Sequence, residues 1–350
     1  MWYPNGISIQ LDTTTHCNAK CPQCHRTNPN GLGKIDDLPL IHWTLNDFKK
    51  AFSDNDLNMI NWLTFCPTWG DAMMSNHTKD IVEYVFSVNP LITISIETNG
   101  SMRNEDWWWE FGLLSKGGKH KLKVTFDIDG INQSMHETYR QGTDLQKVLN
   151  NMKAFSESRS TTAAQTILFK HNEDYKEEIT ELVKANGADF HKMVVSDRFY
   201  GSKIYKKDNG ELITLEPVTK KLENSTVSIS GRKEFTSEIK CGWAEQNNIS
   251  ISFDGQVHPC CYFGNPYITH NILNQERTKF IEHPLIKDYT NSNLNIFKSN
   301  LTDILNHEWF KKKLPESWTT DNPVHQCSSH CSNKIGTPNK ARSIIPINSI

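Results

Sequence analysis

The sequence predicts an α/β fold: a partial (β/α)6 barrel followed by a small C-terminal domain made of a β-hairpin and a helix. Two patterns predict this fold. Through the first two hundred residues, apolar or β-branched runs alternate with segments of helical spacing. Near the C-terminal end, Asp254 and Gly255 lie between two further β-prone runs, which is typical of a hairpin.

The barrel is predicted from the order of its elements. The strands are expected at 6–14, 59–66, 91–98, 121–128, 162–169 and 190–196. The helices are expected at 44–52, 76–88, 104–115, 143–156 and 172–185, with Asn76, Asn104 and Asn172 as N-caps. Such alternation requires a parallel sheet with helices outside it, and the site of such a barrel lies at the carboxyl ends of the strands.

The rest of the chain is predicted to be less regular. A polar stretch over 201–240 contains turn signals at 209–210 and 230–231, and we interpret it as a linker. The hairpin strands are expected at 248–253 and 256–260, and a helix at 302–314. The predicted domains are therefore 1–200 for the barrel, 201–240 for the linker and 241–335 for the C-terminal domain, with a loosely ordered tail over 336–350.

Composition and charge argue against nucleic acid and membranes as partners. A formal net charge of -2 and a pI near 6.7 give no basic excess, so neither nucleic acid nor a membrane surface is an expected partner. No apolar run approaches the roughly 20 residues that cross a bilayer. The opening residues lack the pattern of a signal peptide, so we expect a cytoplasmic protein.

Cysteine usage indicates metal binding. The chain has nine cysteines, an odd number, and no export signal accompanies them, which argues against a disulfide framework. They fall into two groups with Cys66 alone between them, and we interpret Cys66 as a buried apolar filler. The groups are Cys17, Cys21 and Cys24 at one end and Cys241, Cys260, Cys261, Cys327 and Cys331 at the other.

The first group has the spacing of an iron–sulfur site with one open position. Cys17, Cys21 and Cys24 follow the first predicted strand on one loop. A 4Fe–4S cluster normally takes four thiolates, so three would leave one iron free to bind another ligand. The alternatives are a zinc knot and a redox Cys-X2-Cys pair.

With these residues, the sequence resembles the radical S-adenosylmethionine (SAM) superfamily, whose hallmark is Cys-X3-Cys-X2-Cys after the first strand of a partial TIM-like barrel. The resemblance implies a 4Fe–4S cluster whose open iron binds SAM. It also implies an external one-electron reductant, similar to flavodoxin or ferredoxin, and a 5'-deoxyadenosyl radical that abstracts a substrate hydrogen. One departure is Gln23, where relatives often have an aromatic residue against the adenine.

The resemblance extends to the cofactor pocket. The Trp69-Gly70-Asp71 segment is similar to the family's Gly-Gly-Glu motif, which implies that Gly70 and Asp71 hold the SAM ammonium group. Thr98 and Asn99, at the end of the third strand, would line the pocket. A turn alone also explains each of these motifs.

Two further positions match the family after the fourth strand. Asp127 replaces a serine of the family motif, and Arg140 is the matching arginine, whose planar fork suits the SAM carboxylate. Lys170 and Asn172, after the fifth strand, are weaker pocket candidates, and Asn172 is also expected to cap its helix.

The second group resembles the auxiliary-cluster domains called SPASM and Twitch. Cys241 and Cys260 flank Gly255 with the spacing that opens these domains, and Cys327 and Cys331 supply two more thiolates. Four ligands imply one closed 4Fe–4S cluster, so the shorter Twitch type fits better than a full SPASM domain. The alternatives are zinc in this site and Cys261 as the ligand instead of Cys260.

The resemblance implies an oxidoreductase. We expect oxidation or cross-linking of a peptide or protein side chain, since relatives with these domains often perform such reactions. One alternative is dehydrogenation of a small alcohol or sugar-like molecule. An alternative of another class is a non-catalytic binding module stabilised by zinc.

Overall fold

A computed structural model describes residues 6–28, 30–66, 68–115, 118, 121–158, 160–196, 198–199, 204–207, 209–219, 239–268, 274–331 and 342–346. The strands are β1 Ile7–Leu11, β2 Ile60–Phe65, β3 Thr93–Thr98, β4 Leu122–Asp127, β5 Thr161–Leu168, β6 Phe190–Val195, β7 Ile204–Lys206, β8 Leu212–Thr214, β9 Asn248–Ile251, β10 Val257–His258 and β11 Arg342–Pro346. The ends of each of the first six strands lie within three residues of the ends predicted from the sequence.

The helices follow the same alternation through the barrel. They are α1 Leu45–Ala51, α2 Asp54–Met59, α3 Thr78–Val88, α4 Glu105–Gly112, α5 Gln133–Glu137, α6 Leu145–Glu157, α7 Lys176–Ala185, α8 Gly242–Glu245, α9 Cys261–Ile268, α10 Asn274–Glu282, α11 Pro284–Asn291, α12 Leu301–Asn306, α13 Leu314–Ser317 and α14 His325–Cys331. A 3-10 turn over Ala72–Met74 and a π-helical segment over Trp309–Lys313 complete them.

Strands β1 to β6 form a parallel sheet in chain order, which confirms the predicted α/β architecture. The apolar residues of β1, such as Ile9, are buried with residues of the outer helices, such as Phe48 and Trp108. Alternate residues therefore face the other side of the sheet. There the register places Gln10 beside Thr64, so this concave side is polar.

The C-terminal hairpin is confirmed, but it does not form a separate sheet. Strand β9 pairs in parallel with β1, and β10 pairs antiparallel with β9, so both extend the barrel sheet beyond its first strand. The predicted two-residue turn is wrong. Ser252 N–H donates to the carbonyl of Gln256 at 3.1 Å, which leaves residues 253–255 in the loop, with Gly255 at φ +81°.

Two other regions differ from expectation. Within the predicted linker, β7 and β8 form an antiparallel hairpin around Asn209 and Gly210, while 230–231 lies outside the described residues. Part of the expected loose tail is a strand, because β11 pairs antiparallel with β6 at the opposite edge of the sheet. The C-terminal helix predicted over 302–314 is divided at His307 into α12 and the π-helical segment.

Only one of the predicted asparagine caps is present. The side chain of Asn104 accepts from Trp107 N–H at 3.1 Å and caps α4. Asn76 instead accepts from Arg103, and α7 begins four residues after Asn172, whose side chain has other partners. No helix in the described part of the chain is long and apolar enough to span a membrane.

Candidate functional site

The first cysteine loop leaves β1 and is held from several directions. Cys24 N–H donates to the carbonyl of Cys21 at 3.0 Å, and Lys20 N–H donates to the carbonyl of Gln141 at 2.8 Å. The buried guanidinium of Arg26 donates to the carbonyls of Thr15 and Trp69 at 3.1 Å each. Backbone contacts therefore fix the loop against the segments that follow β2 and β4.

The three thiols of this loop lie close enough to influence one another. Burial raises the pKa of Cys17, and Asp71 and the other two cysteines raise it further. Burial also raises the pKa of Cys21 to about 12, although Arg140 acts in the opposite direction. Thiols become thiolates when they bind a metal. Three sulfur donors on one loop suit an iron–sulfur cluster that keeps one position open.

Gly70 lies directly against this loop. A Cβ at this position would approach the carbonyl oxygens of Thr14 and His16 to 2.4 and 2.7 Å, distances that backbone atoms do not tolerate. The neighbouring Asp71 N–H donates to the carbonyl of His16 at 2.8 Å. The predicted motif therefore contacts the cysteine loop through its backbone.

Asp71 is the centre of a buried hydrogen-bond network. Its carboxylate accepts from Thr98 Oγ1 at 2.9 Å, from Asn99 N–H at 2.8 Å and from Asn99 Nδ2 at 2.7 Å. Asn99 Nδ2 also lies 3.8 Å from Cys17 Sγ and 3.0 Å from Asn18 Oδ1. The structure thus brings the candidate residues Asp71, Thr98 and Asn99 together, and protein donors engage the Asp71 carboxylate.

Arg140 bridges two buried aspartates. Its Nη1 lies 2.9 Å from Asp127 Oδ2, and its Nε lies 2.6 Å from Asp129 Oδ2. The same Nη1 lies 3.8 Å from Cys21 Sγ. Burial raises the pKa of Asp127 to about 7, while Arg140 lowers it. Arg140 therefore positions two strand-end carboxylates beside the cysteine loop.

Sequence reasoning missed the role of Asp129. This residue is fully buried, and its other oxygen accepts from Ile167 N–H at 2.6 Å, which ties β4 to β5. A signal was available, because Asp127 and Asp129 are two residues apart at a strand end and thus face the same side.

The weaker candidates have structural contacts. Asn172 Nδ2 donates to the carbonyls of Asp129 and Ile167 at 3.0 Å each, so it supports the strand ends. Lys170 is half exposed and pairs with the exposed Glu216 at 2.8 Å. Gln23 donates to the carbonyl of Arg198 at 2.9 Å and accepts from Ser196 Oγ at 2.6 Å, which fastens the loop to the end of β6.

The second group of cysteines converges from three elements. Cys241 precedes α8, Cys260 follows β10, and Cys327 and Cys331 lie on α14. A hydrogen bond from the Cys331 thiol lowers the pKa of Cys241 to about 7. Burial raises the pKa of Cys260, and the adjacent Cys261 and the nearby Cys327 and Cys241 add to this effect. Four thiols thus meet in one place and suit a closed cluster.

Cys261 faces another environment. It lines a small cavity together with Asp12, His258 and Gly264, between the end of β1 and the C-terminal hairpin. The groups that influence Cys327 and Cys331 include Cys241 but not Cys261. Among the two candidates, the geometry therefore favours Cys260 for the four-cysteine site.

Cys66 has a polar neighbour rather than a purely apolar one. Thr68 Oγ1 lies 3.4 Å from its sulfur, and burial raises its pKa well above the usual value. No group of three or more His, Cys, Asp or Glu side chains within the described ranges has the geometry that would hold a single metal ion.

Comparison with known proteins identifies the C-terminal domain. Residues 241–332 match the family model of SPASM, an iron–sulfur cluster-binding domain. The family model thus covers the part of the chain that contains Cys241, Cys260, Cys327 and Cys331. The match begins at Cys241, the first cysteine of the second group.

Solved structures support the fold at low sequence identity. Streptococcus suis SuiB bound to S-adenosylmethionine is similar with a TM-score of 0.58 and 14% identity over 90% of this chain and 68% of SuiB. SuiB bound to its precursor peptide SuiA gives 0.55 and 12% over 90% and 67% of the two chains. Native anSMEcpe with bound AdoMet gives 0.54 and 12% over 93% and 89%. No curated protein sequence is significantly similar to the chain.

Proposed function

We propose that this chain is a radical SAM oxidoreductase that acts on a peptide or protein side chain. The observation that carries the proposal is the pair of sulfur sites in one fold: an open set of three cysteines at the end of β1 and a closed set of four in the SPASM domain. When bound, a cluster on the open set would supply one electron to SAM and so a radical that removes a substrate hydrogen atom.

We propose particular roles for the residues around the open set. Cys17, Cys21 and Cys24 would hold the cluster. Gly70 would let the backbone approach the loop, while Asp71 would orient Thr98 and Asn99 toward the cofactor. Arg140 would keep Asp127 in place and lend positive charge to the loop near Cys21. These roles are supported by contacts of 2.8–3.8 Å among buried groups and by the close approach of the Gly70 backbone to the loop, which leaves no room for a Cβ.

The concave side of the sheet suits a substrate with many hydrogen-bonding groups. Gln10, Thr64 and Ser95 lie beside one another across β1, β2 and β3. Asp127 and Gln165 continue the polar face across β4 and β5. A peptide offers such groups along its backbone, and SuiB, whose fold is similar, has been solved with a precursor peptide. A polar face would also suit a small alcohol or sugar-like molecule, so it is the likeness to SuiB that favours a peptide.

The proposal is tested by following hydrogen from substrate to SAM. Reconstituted protein is incubated anaerobically with a reductant, SAM and either a deuterated protein digest or the small-molecule extract of the same deuterated cells. We expect release of 5'-deoxyadenosine that carries deuterium from the peptide fraction. The C17A/C21A/C24A variant is the control and should release none.

Each result distinguishes among the functions. Deuterium transferred only from the small-molecule extract would replace the peptide reaction by dehydrogenation of a metabolite. Absence of any 5'-deoxyadenosine from iron-loaded wild-type protein would contradict radical SAM activity. Stoichiometric zinc in place of iron would favour a binding module.

A further inference from the structure

The hairpin of β7 and β8 covers the open set of cysteines. Its inward side chains, Tyr205 and Ile213, are buried in an apolar cluster that contains Cys21, and Cys17 and Cys24 pack against the same cluster. Successive residues of a strand face opposite sides of the layer that the strand forms. A single layer of two strands therefore lies between this cluster and the outward side of the hairpin.

Backbone hydrogen bonds hold the hairpin in this position on both sides. Gly31 N–H, which follows the cysteine loop, donates to the carbonyl of Lys206 in β7 at 2.8 Å. Beyond β8, the carbonyl of Glu216 accepts from Lys170 N–H at 3.1 Å, and Lys170 follows β5. The hairpin therefore presents its outward side in a fixed orientation relative to the cysteine loop.

The outward face of the hairpin is apolar at its centre. It consists of the exposed residues Ile204, Lys206, Leu212 and Thr214. The side chains of Ile204 and Leu212 are 53% and 63% exposed. Because Lys206 lies opposite Leu212 and Ile204 lies opposite Thr214, the two apolar side chains are diagonal neighbours. An apolar patch with a polar border is typical of an interaction site.

The charge on this face favours an acidic partner. Within the described ranges, Lys206 is exposed and has no carboxylate partner. The carboxylate of Glu211 in the same hairpin pairs with Lys207 at 2.9 Å, so it does not offset the charge of Lys206. Positive charge attracts a partner with a negative surface. A second copy of this chain fits less well, because a symmetric dimer brings the same face, and thus the two copies of Lys206, together.

The position of the face favours a partner that carries electrons. Reductive cleavage of SAM at the open set consumes one electron, which must come from a carrier that is oxidised by one electron in return. Electron transfer through protein slows steeply with distance, so the carrier has to approach the three thiols closely. The outward face of the hairpin lies one layer of strands from their cluster. Contacts between electron-transfer proteins are small and transient, which suits a patch of this size.

We infer that the outward face of the β7–β8 hairpin is the docking surface for a small acidic protein that delivers one electron to the open set. The inference rests on the proposed function, since only reductive cleavage of SAM requires such a carrier. It assigns a role to the part of the chain that joins the barrel to the SPASM domain.

The test compares a protein reductant with a small-molecule reductant. Iron-loaded protein receives SAM with either reduced flavodoxin, which is an acidic one-electron carrier, or dithionite, and release of 5'-deoxyadenosine is measured. With flavodoxin, I204E/L212E should release it about tenfold more slowly than wild type, because the new charges repel the carrier. With dithionite, the two rates should be equal. L91E/L113E is the matched control: it adds the same charges at exposed leucines elsewhere and should change neither rate.

A binding measurement does not depend on turnover. Signals of ¹⁵N-labelled flavodoxin should broaden in nuclear magnetic resonance spectra when iron-loaded wild type or L91E/L113E is added, but not when I204E/L212E is added. K206Q should weaken this broadening at low salt and make little difference at high salt, because salt screens exposed charges.

Other occupants of the face would give different results. Equal flavodoxin-driven rates in I204E/L212E and wild type would overturn the inference, and so would an equal loss of rate with dithionite. A wild-type dimer that I204E/L212E dissociates, with no change in the flavodoxin-driven rate, would assign the face to a second copy. Loss of deuterium transfer from peptides alone would assign it to the substrate. No 5'-deoxyadenosine from wild type with dithionite would instead contradict the proposed function itself.

Discussion

The two cysteine sets differ in their surroundings as well as in their number of thiols. The open set lies among ionisable and amide groups: Asp71 acts on Cys17, and Arg140 acts on Cys21. Both sets also contact apolar residues: Cys21 is buried in a cluster with Tyr139 and Phe169, and Cys260 and Cys327 are buried in the main core. The difference is that a buried carboxylate and a buried guanidinium act on the open set, which suits a site that binds a charged cofactor, whereas the thiols of the SPASM set act mainly on one another.

The largest expected effect is the loss of iron when the cysteines of the open set are replaced. Reconstituted wild-type protein should carry about eight irons, as two cubic clusters would, and C17A/C21A/C24A should lose about half of them together with all SAM cleavage. Iron analysis and release of 5'-deoxyadenosine measure this. C66A is the control, because Cys66 belongs to neither set, and it should keep its iron. Full iron retention in the triple variant would mean that the loop holds no cluster.

The next effect falls on substrate conversion alone. C327A/C331A should still cleave SAM reductively but should no longer convert substrate, because only the open set would bind SAM directly. Circular dichroism must show that the fold survives, since metal loss also unfolds small domains. Wild-type turnover by a folded double variant would show that the SPASM cluster has no part in the reaction.

A smaller effect concerns the buried ion pairs beside the open set. R140Q leaves Asp127 and Asp129 buried without their cation, so we expect the free energy of unfolding in urea to fall by about 3–5 kcal/mol. K170Q is the control: it breaks the exposed ion pair with Glu216 and should leave the free energy of unfolding unchanged. Equal effects of the two variants would mean that Arg140 is not held as the structure indicates.

The smallest effect is a dependence of stability on pH at Asp12, which directly follows β1 and lines the small cavity with Cys261 and His258. Burial raises the pKa of Asp12 to about 7, and the nearby Asp254 adds to this. The folded state then keeps a proton that the unfolded chain releases near pH 4, so stability should fall as the pH rises from about 4 to 7. Asp12 Oδ1 accepts from the N–H groups of Thr68 at 3.1 Å and Trp69 at 3.4 Å, and the amide oxygen of D12N can still accept from both, so this variant should only reduce the slope.

A residual slope in D12N is expected, because burial raises the pKa of Asp127 to about 7 as well. Unfolding at several pH values measures both slopes. Identical slopes for D12N and wild type would contradict the buried, protonated state of Asp12.

Much of the fold could be predicted because its signals are local. The six barrel strands coincide with apolar or β-branched runs, which a strand needs wherever it is buried. The C-terminal hairpin lies around Asp254 and Gly255, as their turn-forming residue types indicate. The two sets of cysteines could also be predicted from the sequence, because the spacing of the cysteines divides them into one group of three candidate ligands and one group of four. The predicted pocket residues converge near the first set, and their roles remain proposals.

Tertiary structure decided what local signals do not encode. Pairing of β9 with β1 joins residues more than two hundred positions apart and makes the SPASM hairpin part of the barrel sheet. Asn172 is of a residue type that often caps helices, but its side chain donates hydrogen bonds to the carbonyls of Asp129 and Ile167 instead. The choice between Cys260 and Cys261 likewise depends on which sulfur faces α14. A residue's type limits its possible partners, but only the packing of distant segments selects one, because a buried polar group takes whichever partner the fold brings within reach.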